Sequence, residues 1–445
     1  MSNYKQEKSS SFFIKKINNK EIKVLASKTL FSKIPFSAFE QLESISLIKE
    51  VESPIIAHPD IQPGFSVPIG TVFLSNAKTG IISPSAIGFD INCGIRLIKT
   101  NLFLKDISKE QLLSLKNELT KLPLGLSKKG MKITRKDLDN ILNNGINWCV
   151  SKKMCSKEHS KRIDMGGCYA GASSSFVSKE AKELGLLELG TLGEGNHFID
   201  VLIVSDICNK SLATKYKFKK NQIIILIHSG SRGLGHRVAT DYNKLCENKH
   251  PFTYTKFNSK IGQDYFKAMK AAGNFAFVNR EILSKQIQYI FSVIFVGHSK
   301  VKLDLIYDLC HNTATLEKIK GKDYVVHRKG ATLSTKGNPI ILPGSMLDYS
   351  YLLSPSTGMK QTHNTFPHGL GRSLSRSIAK EKINIKDLRK LMLDKGVLLG
   401  GRSEGVMREE QPNAYKSSKE IISIIEKSKL AKKIVSFKPI IVLTG

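Results

Sequence analysis

The sequence predicts an α+β fold, in which short strands and helices are mixed irregularly along 445 residues. Short β-like runs each abut a turn rich in glycine and polar residues, and segments with helix-like apolar spacing lie between them. There is no regular βαβ alternation, no GxGxxG after a first strand, and no GxxxxGKS or GxxxxGKT. These absences disfavour a Rossmann dehydrogenase and a P-loop NTPase.

The individual elements follow from apolar periodicity. Helix-like spacing covers 109–122, 135–153, 178–189, 264–292, 373–382 and 417–434. The segment 264–292 predicts one long helix or two, because Gly273 and Asn274 can interrupt it, and Ser417 or Ser418 is a candidate N-cap for the last helix. Strand-like runs cover 95–100, 197–204, 222–230, 324–330 and 339–345.

The chain is strongly basic, with 69 Lys plus Arg against 38 Asp plus Glu and a net charge of +31. Such an excess predicts a polyanionic partner, with nucleic acid first and an acidic membrane surface second. The alternative is a compositional bias spread over a solvated surface, because most of the excess is lysine distributed along the chain.

Composition also predicts the compartment. No apolar run approaches the roughly 20 residues of a membrane helix, and the N-terminus has no apolar signal-peptide core, so we expect neither a membrane nor a secreted protein. The seven cysteines form no CxxC pair, which favours reduced thiols in a cytoplasm.

Five segments combine glycine with side chains able to bind metal or act as nucleophiles. They are GFDINCG (88–94), GTLGEGNHFID (190–200), IHSGSRGLGH (227–236), DLCHN (308–312) and HNTFPHGLGRSLSR (363–376). A single histidine at a strand end is usually structural, but the repetition of this pattern points to a shared site. A thiolate, a carboxylate and several imidazoles suit Mn, Zn, Fe or Co better than Mg or Ca. A thiolate bridging two ions suits a phosphoryl transfer.

Arginine is scarce, yet several arginines lie in or beside these segments, which predicts phosphate recognition by Arg96, Arg232, Arg328, Arg372 and Arg376. HGLGR followed by SLSRSIAK predicts a glycine turn that opens a helix and holds a phosphate at the helix N-terminus. His368 in that turn is a candidate nucleophile. The alternative is a plain glycine turn with a capping histidine.

Together the segments resemble the RtcB family of RNA-splicing ligases from about residue 50 to the C-terminus. The resemblance rests on nine motifs in order: GFDINCG, GTLGEGNHF, HSGSRGLGH, AMKAAGNFAFVNR, CHN (310–312), HRKGA (327–331), LPGSM (342–346), HGLGRSLSR and NAYKSS (413–418). It implies a single large mixed domain of the RtcB type over 1–445, built around a central dinuclear metal cleft, with residues 1–45 preceding the matched motifs.

The resemblance also implies an activity. The family uses GTP and two Mn²⁺ ions to join RNA ending in a 3′-phosphate or 2′,3′-cyclic phosphate to RNA with a 5′-hydroxyl, in tRNA splicing or RNA repair. Carried over by motif, His368 takes GMP. Asp90 and His197 would bind one ion, His228 and His311 the other, and Cys93 would bridge them. The nucleotide would contact Asn196, His197, Phe198, Ile199, Asp200, His311, Asn312, Pro343, Gly344, Ser345, Met346, Ser350, Gly369, Leu370, Gly371, Arg372, Tyr415 and Thr444.

Four positions depart from the family pattern: Gln62 stands for His, Asp200 for Glu, Pro367 for Cys and Thr444 for Lys. Asp200 and Thr444 leave the selectivity for guanine open. Two alternative hypotheses therefore accompany the RNA ligase. The protein would be either a non-ligating RNA-binding accessory protein or a metal-dependent RNA phosphoesterase. The physiological RNA, the oligomeric state and any protein partner are not indicated by the sequence.

Overall fold

The computed structural model describes residues 4–7, 10–125, 130–297, 300–335 and 337–445. The strands are β1 (Lys5–Gln6), β2 (Phe12–Ile17), β3 (Lys20–Leu25), β4 (Val51–Gln62), β5 (Ile69–Asn76), β6 (Ile81–Ile82), β7 (Gly94–Phe103), β8 (Phe198–Ile207), β9 (Gln222–Ser229), β10 (Thr255–Lys256), β11 (Leu303–Cys310), β12 (Asn312–Ile319), β13 (Lys322–Lys329), β14 (Ala331–Leu333), β15 (Ile340–Leu342), β16 (Ser350–Pro355), β17 (Thr365–Pro367), β18 (Leu398–Gly401) and β19 (Ala431–Thr444). The helices are α1 (Lys28–Lys33), α2 (Phe36–Ser46), α3 (Lys109–Thr120), α4 (Arg135–Asn144), α5 (Ile146–Ser151), α6 (Lys157–Ser160), α7 (Lys179–Glu188), α8 (Lys210–Tyr216), α9 (Arg232–Leu245), α10 (Lys260–Ile294), α11 (Arg376–Glu381), α12 (Ile385–Asp394), α13 (Glu404–Glu409) and α14 (Ser418–Lys427).

Two large sheets organise the molecule. The first has the strand order β1-β2-β3-β4-β5-β13-β12, and the second has the order β11-β7-β9-β8-β19-β16-β15, with β18 parallel to β19. Strands β11 and β12 belong to different sheets but are separated only by His311. That residue therefore lies where the two sheets meet.

The mixed α and β class predicted from the sequence is confirmed, and most helices fall where the apolar spacing placed them. The long segment is one helix, α10. Gly273 does not interrupt this helix. Glycine is needed there for packing, because a Cβ at this position would lie 2.6 Å from the Tyr169 ring. The Asn274 side chain accepts from the Tyr169 N–H and donates to the Leu142 carbonyl.

Three helix predictions were too long. The segment 135–153 divides into α4 and α5 at Gly145, which has a φ of 53°. The segment 417–434 is helical only to Lys427, because Lys429 adopts a φ of 55° and the chain then enters β19. The segment 373–382 becomes helical only at Arg376. The N-terminal strands β2–β5 were not predicted.

The two largest apolar clusters pack against the two sheets. The larger surrounds α10 and one face of the second sheet, with Phe275, Ile225 and Ile227 fully buried. Another joins the first sheet to α1, α2 and α14. Within the described ranges, no helix combines the length and apolarity that a bilayer crossing requires.

Candidate active site

Strand pairing brings four predicted metal ligands to one edge of the second sheet. Cys93 directly precedes β7, and His197 directly precedes β8. His228 is in β9, where it faces Ile95 of β7 on one side and Phe198 of β8 on the other. His311 follows Cys310, which pairs with Gly94.

The side chains of these residues converge, and we call Asp90, Cys93, His197, His228 and His311 the metal-ligand cluster. The Cys93 Sγ atom lies 3.3 Å from His197 Nε2 and 3.1 Å from His228 Nε2. His228 Nε2 is 3.4 Å from His311 Nε2, and His197 Nε2 is 2.8 Å from the Asp90 carboxylate. Cys93 thus lies between the two pairs, where the sequence predicted a bridging thiolate.

The donor set fits divalent transition-metal ions. Ligand atoms about 2.0–2.3 Å from one tetrahedral cation lie roughly 3.3–3.7 Å apart, close to the spacings found here. The Cys93, His197 and His228 ligand atoms all lie within 4.8 Å of one another, and all three residues are buried. His228 Nδ1 is 2.8 Å from the Asn196 carbonyl, which leaves Nε2 for a metal.

The electrostatics of the cluster agree with this fit. Burial lowers the pKa of His228 and of His311, so both imidazoles stay neutral, as metal ligands must. Burial alone would raise the pKa of Asp90, but His197 and Arg232 outweigh it and lower that pKa. Burial and Asp90 raise the pKa of the Cys93 thiol, and a bound cation would reverse that shift.

Helix α10 holds the loops that carry the ligands. The Arg280 Nη1 group donates to the carbonyls of Asn92 and Ser229, 3.0 Å each, next to Cys93 and His228. Arg280 also pairs with the buried Asp308 at 2.8 Å. The neighbouring Asn279 donates to the Thr191 and Gly230 carbonyls. Both residues end the motif AMKAAGNFAFVNR, but no role was predicted for them from the sequence.

His368 faces the cluster. Its Nδ1 lies 2.6 Å from the Asp60 carboxylate, which also accepts the His368 backbone N–H at 3.0 Å. The centroid of its ring is 4.9 Å from that of His311. Because Nδ1 is held by a carboxylate, Nε2 is the nitrogen available for chemistry.

Asp60 is a site residue that the sequence reading missed. The sequence signal for it is PDIQ (59–62), a segment in which the prediction singled out only Gln62. Lys416 fixes the backbone on both sides of Asp60 by donating to the carbonyls of Pro59 and Ile61 at 3.0 and 2.5 Å. Gln62 accepts the Arg372 backbone N–H at 3.1 Å and so anchors the far end of the His368 turn.

A cavity opens beside His368, and we call it the nucleotide cavity. Its lining contains most of the residues predicted to contact a nucleotide: Asn196, His197, Phe198, Asp200, Pro343, Gly344, Ser345, Met346, His368, Gly369, Leu370, Gly371, Arg372, Tyr415 and Thr444. Gln62, Ile69, His228, Arg376, Glu410 and Val442 also line it. Apolar walls with a few polar groups suit a planar base.

Four residues predicted to contact the nucleotide do not line this cavity, and one of them, His311, belongs to the metal-ligand cluster. Ile199 is fully buried in the core on the opposite face of β8. Ser350 is buried and accepts the Gly344 N–H at 2.8 Å, so it supports the Pro343–Met346 turn. Asn312 donates to the Asp90 carbonyl and accepts the Gly330 N–H, and it therefore braces the metal-ligand cluster.

The floor of the nucleotide cavity is one face of β8 and β19. Phe198 and Asp200 alternate on β8, and Val442, which pairs with Asp200, alternates with Thr444 on β19. Among the described residues, Asp200 Oδ1 and Thr444 Oγ1 have no hydrogen-bond partner although both are buried. Burial raises the pKa of Asp200 well above its ordinary value. These two atoms are polar groups left for a ligand.

The arginines do not all serve phosphate recognition. Arg96 is fully buried and pairs with Glu281 and Asp308, while Arg328 pairs with Glu317, so for these two the prediction was wrong. Arg372 lines the nucleotide cavity but is held by Glu410 and by the Glu409 carbonyl.

Arg232 and Arg376 remain candidates for phosphate recognition. Arg376 lines the nucleotide cavity with its side chain 55% exposed. Arg232 lines a separate pocket on the Asp90 and His197 side of the metal-ligand cluster. The glycine turn does not open a helix directly, since Ser375 caps α11 and the helix starts at Arg376.

Comparison with known proteins decides the family. The family described as "tRNA-splicing ligase RtcB" matches residues 41–445. The chain belongs to the RtcB family. It is similar to the tRNA-splicing ligase RtcB of Methanococcus maripaludis, with 35% identity over 95% of this chain and 94% of the relative. It is also similar to the RtcB of Thermococcus kodakarensis, with 35% identity over 91% and 90%, and to that of Nanoarchaeum equitans, with 33% identity over 96% of each.

Membership of the RtcB family supports an RNA ligase that acts on RNA substrates, and the buried Cys93, His197 and His228 fit a metal-dependent enzyme. The family match begins at residue 41, while the similarity to the relatives extends over more than nine tenths of the chain.

Proposed function

We propose that this protein is a GTP- and Mn²⁺-dependent ligase that joins RNA 3′-phosphate or 2′,3′-cyclic phosphate ends to 5′-hydroxyl ends. The observation that carries the proposal is the position of His368. One ring nitrogen is held by Asp60, and the ring packs against His311 of the metal-ligand cluster beside a cavity suited to a nucleotide.

The first step is transfer of GMP to His368. Asp60 accepts the Nδ1–H, which leaves the Nε2 lone pair to attack the α-phosphorus of GTP. A bond forms between Nε2 and phosphorus, and the bond from phosphorus to the pyrophosphate oxygen breaks. The carboxylate of Asp60 stabilises the positive charge that develops on the imidazole, as in other carboxylate–histidine pairs.

The histidine-bound GMP then activates the RNA. A 2′,3′-cyclic phosphate end must first react with water, which breaks the bond from phosphorus to the 2′ oxygen and leaves a 3′-phosphate. An oxygen of the RNA 3′-phosphate attacks the phosphorus on His368, which releases the imidazole and caps the 3′ end with GMP. The 5′-hydroxyl of the second RNA attacks the 3′ phosphorus, loses its proton, and displaces GMP. The cap is needed because a bare 3′-phosphate repels nucleophiles and has no leaving group.

Asp90, Cys93, His197, His228 and His311 would hold two Mn²⁺ ions, which supply charge neutralisation for the phosphoryl groups when bound. Arg376 on one side of the cavity and Arg232 on the other extend this positive field to further phosphate oxygens.

For the base, we propose that Phe198, Met346 and Val442 contact its faces while Asp200 and Thr444 contact its polar edge. We further propose that residues 1–445 act as one catalytic domain in a reducing, cytoplasmic compartment. All seven cysteines are free thiols in the structure, which supports that location.

Joining of two labelled RNAs tests the proposal. A 3′-phosphate RNA and a 5′-hydroxyl RNA should be joined when GTP and Mn²⁺ are present, and His368→Ala should abolish joining. His363→Ala is the matched control, because that histidine bonds to the Pro54 carbonyl and does not line the nucleotide cavity. RNA binding without joining would favour the accessory protein, and phosphate release without GTP would favour the phosphoesterase.

A further inference from the structure

A second polar cleft lies away from the nucleotide cavity. Five basic side chains and one acidic side chain line it, in a space of about 420 Å³: Lys99, Lys161, Arg162, Lys215, Lys217 and Asp304. We call it the basic cleft. It is formed by the far end of β7, the start of β11, the end of α8 and the turn after α6.

Hydrogen bonds to backbone carbonyls orient three of these basic side chains. The Lys99 ammonium donates to the Tyr216 carbonyl at 2.8 Å, and the Arg162 guanidinium donates to the Leu305 carbonyl at 2.7 Å. Lys215 donates to the Gly337 carbonyl at 3.2 Å. These contacts are with backbone oxygens, which carry no net charge, so they orient the cations without neutralising them.

Like charges that line one cleft repel one another unless an anion lies among them. Burial lowers the pKa of Lys99, and Lys217 and Arg162 lower it further, although Asp304 opposes them. Lys161 has its own partner in Glu158, but both of those side chains are largely exposed. The cleft therefore has an uncompensated positive charge that a phosphate would relieve.

The basic cleft and the active site share one face of the second sheet. Ile95 and Leu97 of β7 pack on this face with Leu202, and Phe198 of the nucleotide cavity packs against the same cluster. Lys99 follows Leu97 in the same alternation. At about 3.3 Å per residue, Lys99 lies about 20 Å along the strand from Cys93.

We propose that the basic cleft docks the phosphate backbone of the RNA substrate at a point remote from the ends that are joined. This rests on the proposed function in that it takes the polyanion to be RNA. A strand in a nucleic acid helix rises about 3.4 Å per nucleotide and covers that distance in about six nucleotides, so a base-paired RNA must extend at least this far from the junction to reach the basic cleft.

Charge reversal tests the proposal. The cleft variant carries Lys161→Glu, Lys215→Glu and Lys217→Glu, three exposed residues that line the basic cleft. The control carries Lys109→Glu, Lys136→Glu and Lys179→Glu, which change the net charge equally. The control residues are exposed in the first turns of α3, α4 and α7, where glutamate is favourable, and line neither the nucleotide cavity nor the basic cleft.

Binding is measured for a long RNA and for an RNA of three nucleotides on each side of the junction, over a range of salt concentrations. We expect the cleft variant to bind the long RNA at least tenfold more weakly than the control. The slope of log affinity against log salt should fall by about 2–3, since each phosphate contact contributes roughly 0.7–0.9. The short RNA should bind equally to both.

Equal binding of the long RNA to both variants would overturn the proposal. Formation of the GMP adduct needs no RNA, so it should be unchanged in both variants. Failure of the wild type to form that adduct would count against the proposed function, whereas loss of long-RNA binding in both variants alike would count against the basic cleft.

Discussion

The metal-ligand cluster and the floor of the nucleotide cavity differ in how their polar side chains are held in place, although each has buried polar atoms without a partner among the described residues, which in the cluster are His197 Nδ1 and His311 Nδ1. In the cluster, Cys93, His197 and His228 contact one another, and Arg280 fixes the loops beneath them. On the floor, Asp200 Oδ1 and Thr444 Oγ1 lack any partner among the described residues. In the proposed function, the catalytic groups therefore belong to a braced framework, whereas base selectivity would depend on a few buried polar atoms that have no partner within the part of the protein that the structure describes.

The largest effect is expected when the proposed bridging thiol is removed. Cys93→Ala should lose both metals together and abolish the GMP adduct, because the Cys93 sulfur lies beside His197 of one proposed ligand pair and His228 of the other. Metal content after gel filtration is the measurement. His236→Ala is the control, since this exposed histidine stacks on Phe89 at 4.9 Å and should keep its metal. Equal metal loss in both variants would refute the ligand assignment.

His368 connects the two regions, because its ring packs against His311 and it lines the nucleotide cavity, and Asp60 orients that ring. Asp60→Ala should reduce the rate of GMP adduct formation about 100-fold, because the His368 ring loses the group that orients it. Metal content should stay at the wild-type level, because Asp60 is outside the metal-ligand cluster. An unchanged rate with the metals in place would show that the Asp60 contact has no part in the chemistry.

The floor of the cavity can be tested separately. Asp200→Ala should lower the preference for GTP over ATP about tenfold, the value of one buried hydrogen bond of roughly 1.4 kcal/mol. Competition binding with the two nucleotides measures this preference. Asp206→Ala is the control, because that residue is exposed on the same strand. A preference unaltered by Asp200→Ala would place base recognition elsewhere.

A smaller effect, on stability, is expected from Lys329, which contacts the segment that precedes Asp90. Lys329 is buried and donates to the Phe65 and Ser85 carbonyls, and burial lowers its pKa to about 7. Between pH 7 and about 10.5 the unfolded chain binds more protons at this group, so its contribution to stability rises with pH.

The unfolding free energy of the wild type relative to Lys329→Met should therefore increase between pH 7 and 9, by at most about 1.4 kcal/mol per pH unit. Urea unfolding at several pH values measures it. Lys322→Met, an exposed lysine on the same strand, should show no such trend. A flat or falling difference for Lys329→Met would contradict a neutral buried amine.

Local pattern predicted most helices and the strands β7, β8, β9 and β15 of the second sheet, because β8, β9 and α10 carry strong apolar periodicity, but it did not predict β11, β16 or β19. It overextended the helix at 417–434, since Lys429 leaves helical geometry with a φ of 55° that composition does not reveal. The N-terminal sheet was missed because its strands carry no chemical motif and their short runs are weakly patterned.

The candidate site was predictable where chemistry is concentrated in motifs. Cys93, His197, His228 and His311 converge as the motifs indicated. Asp60, Lys416 and Arg280 were not found, because they act through contacts between residues far apart in sequence. The prediction for Arg96 and Arg328 was wrong, because sequence alone does not show that carboxylates of the protein itself pair with these buried guanidinium groups.

The most direct measurement is the intact mass of the protein after incubation with Mn²⁺ and either GTP or ATP. With GTP, the wild type should gain the mass of one GMP, and His368→Ala, which leaves all five proposed ligands in place, should gain nothing. A metal-loaded wild type that stays unmodified, or a His368→Ala protein that is still modified, would contradict the assignment of His368 as the nucleotide-carrying residue.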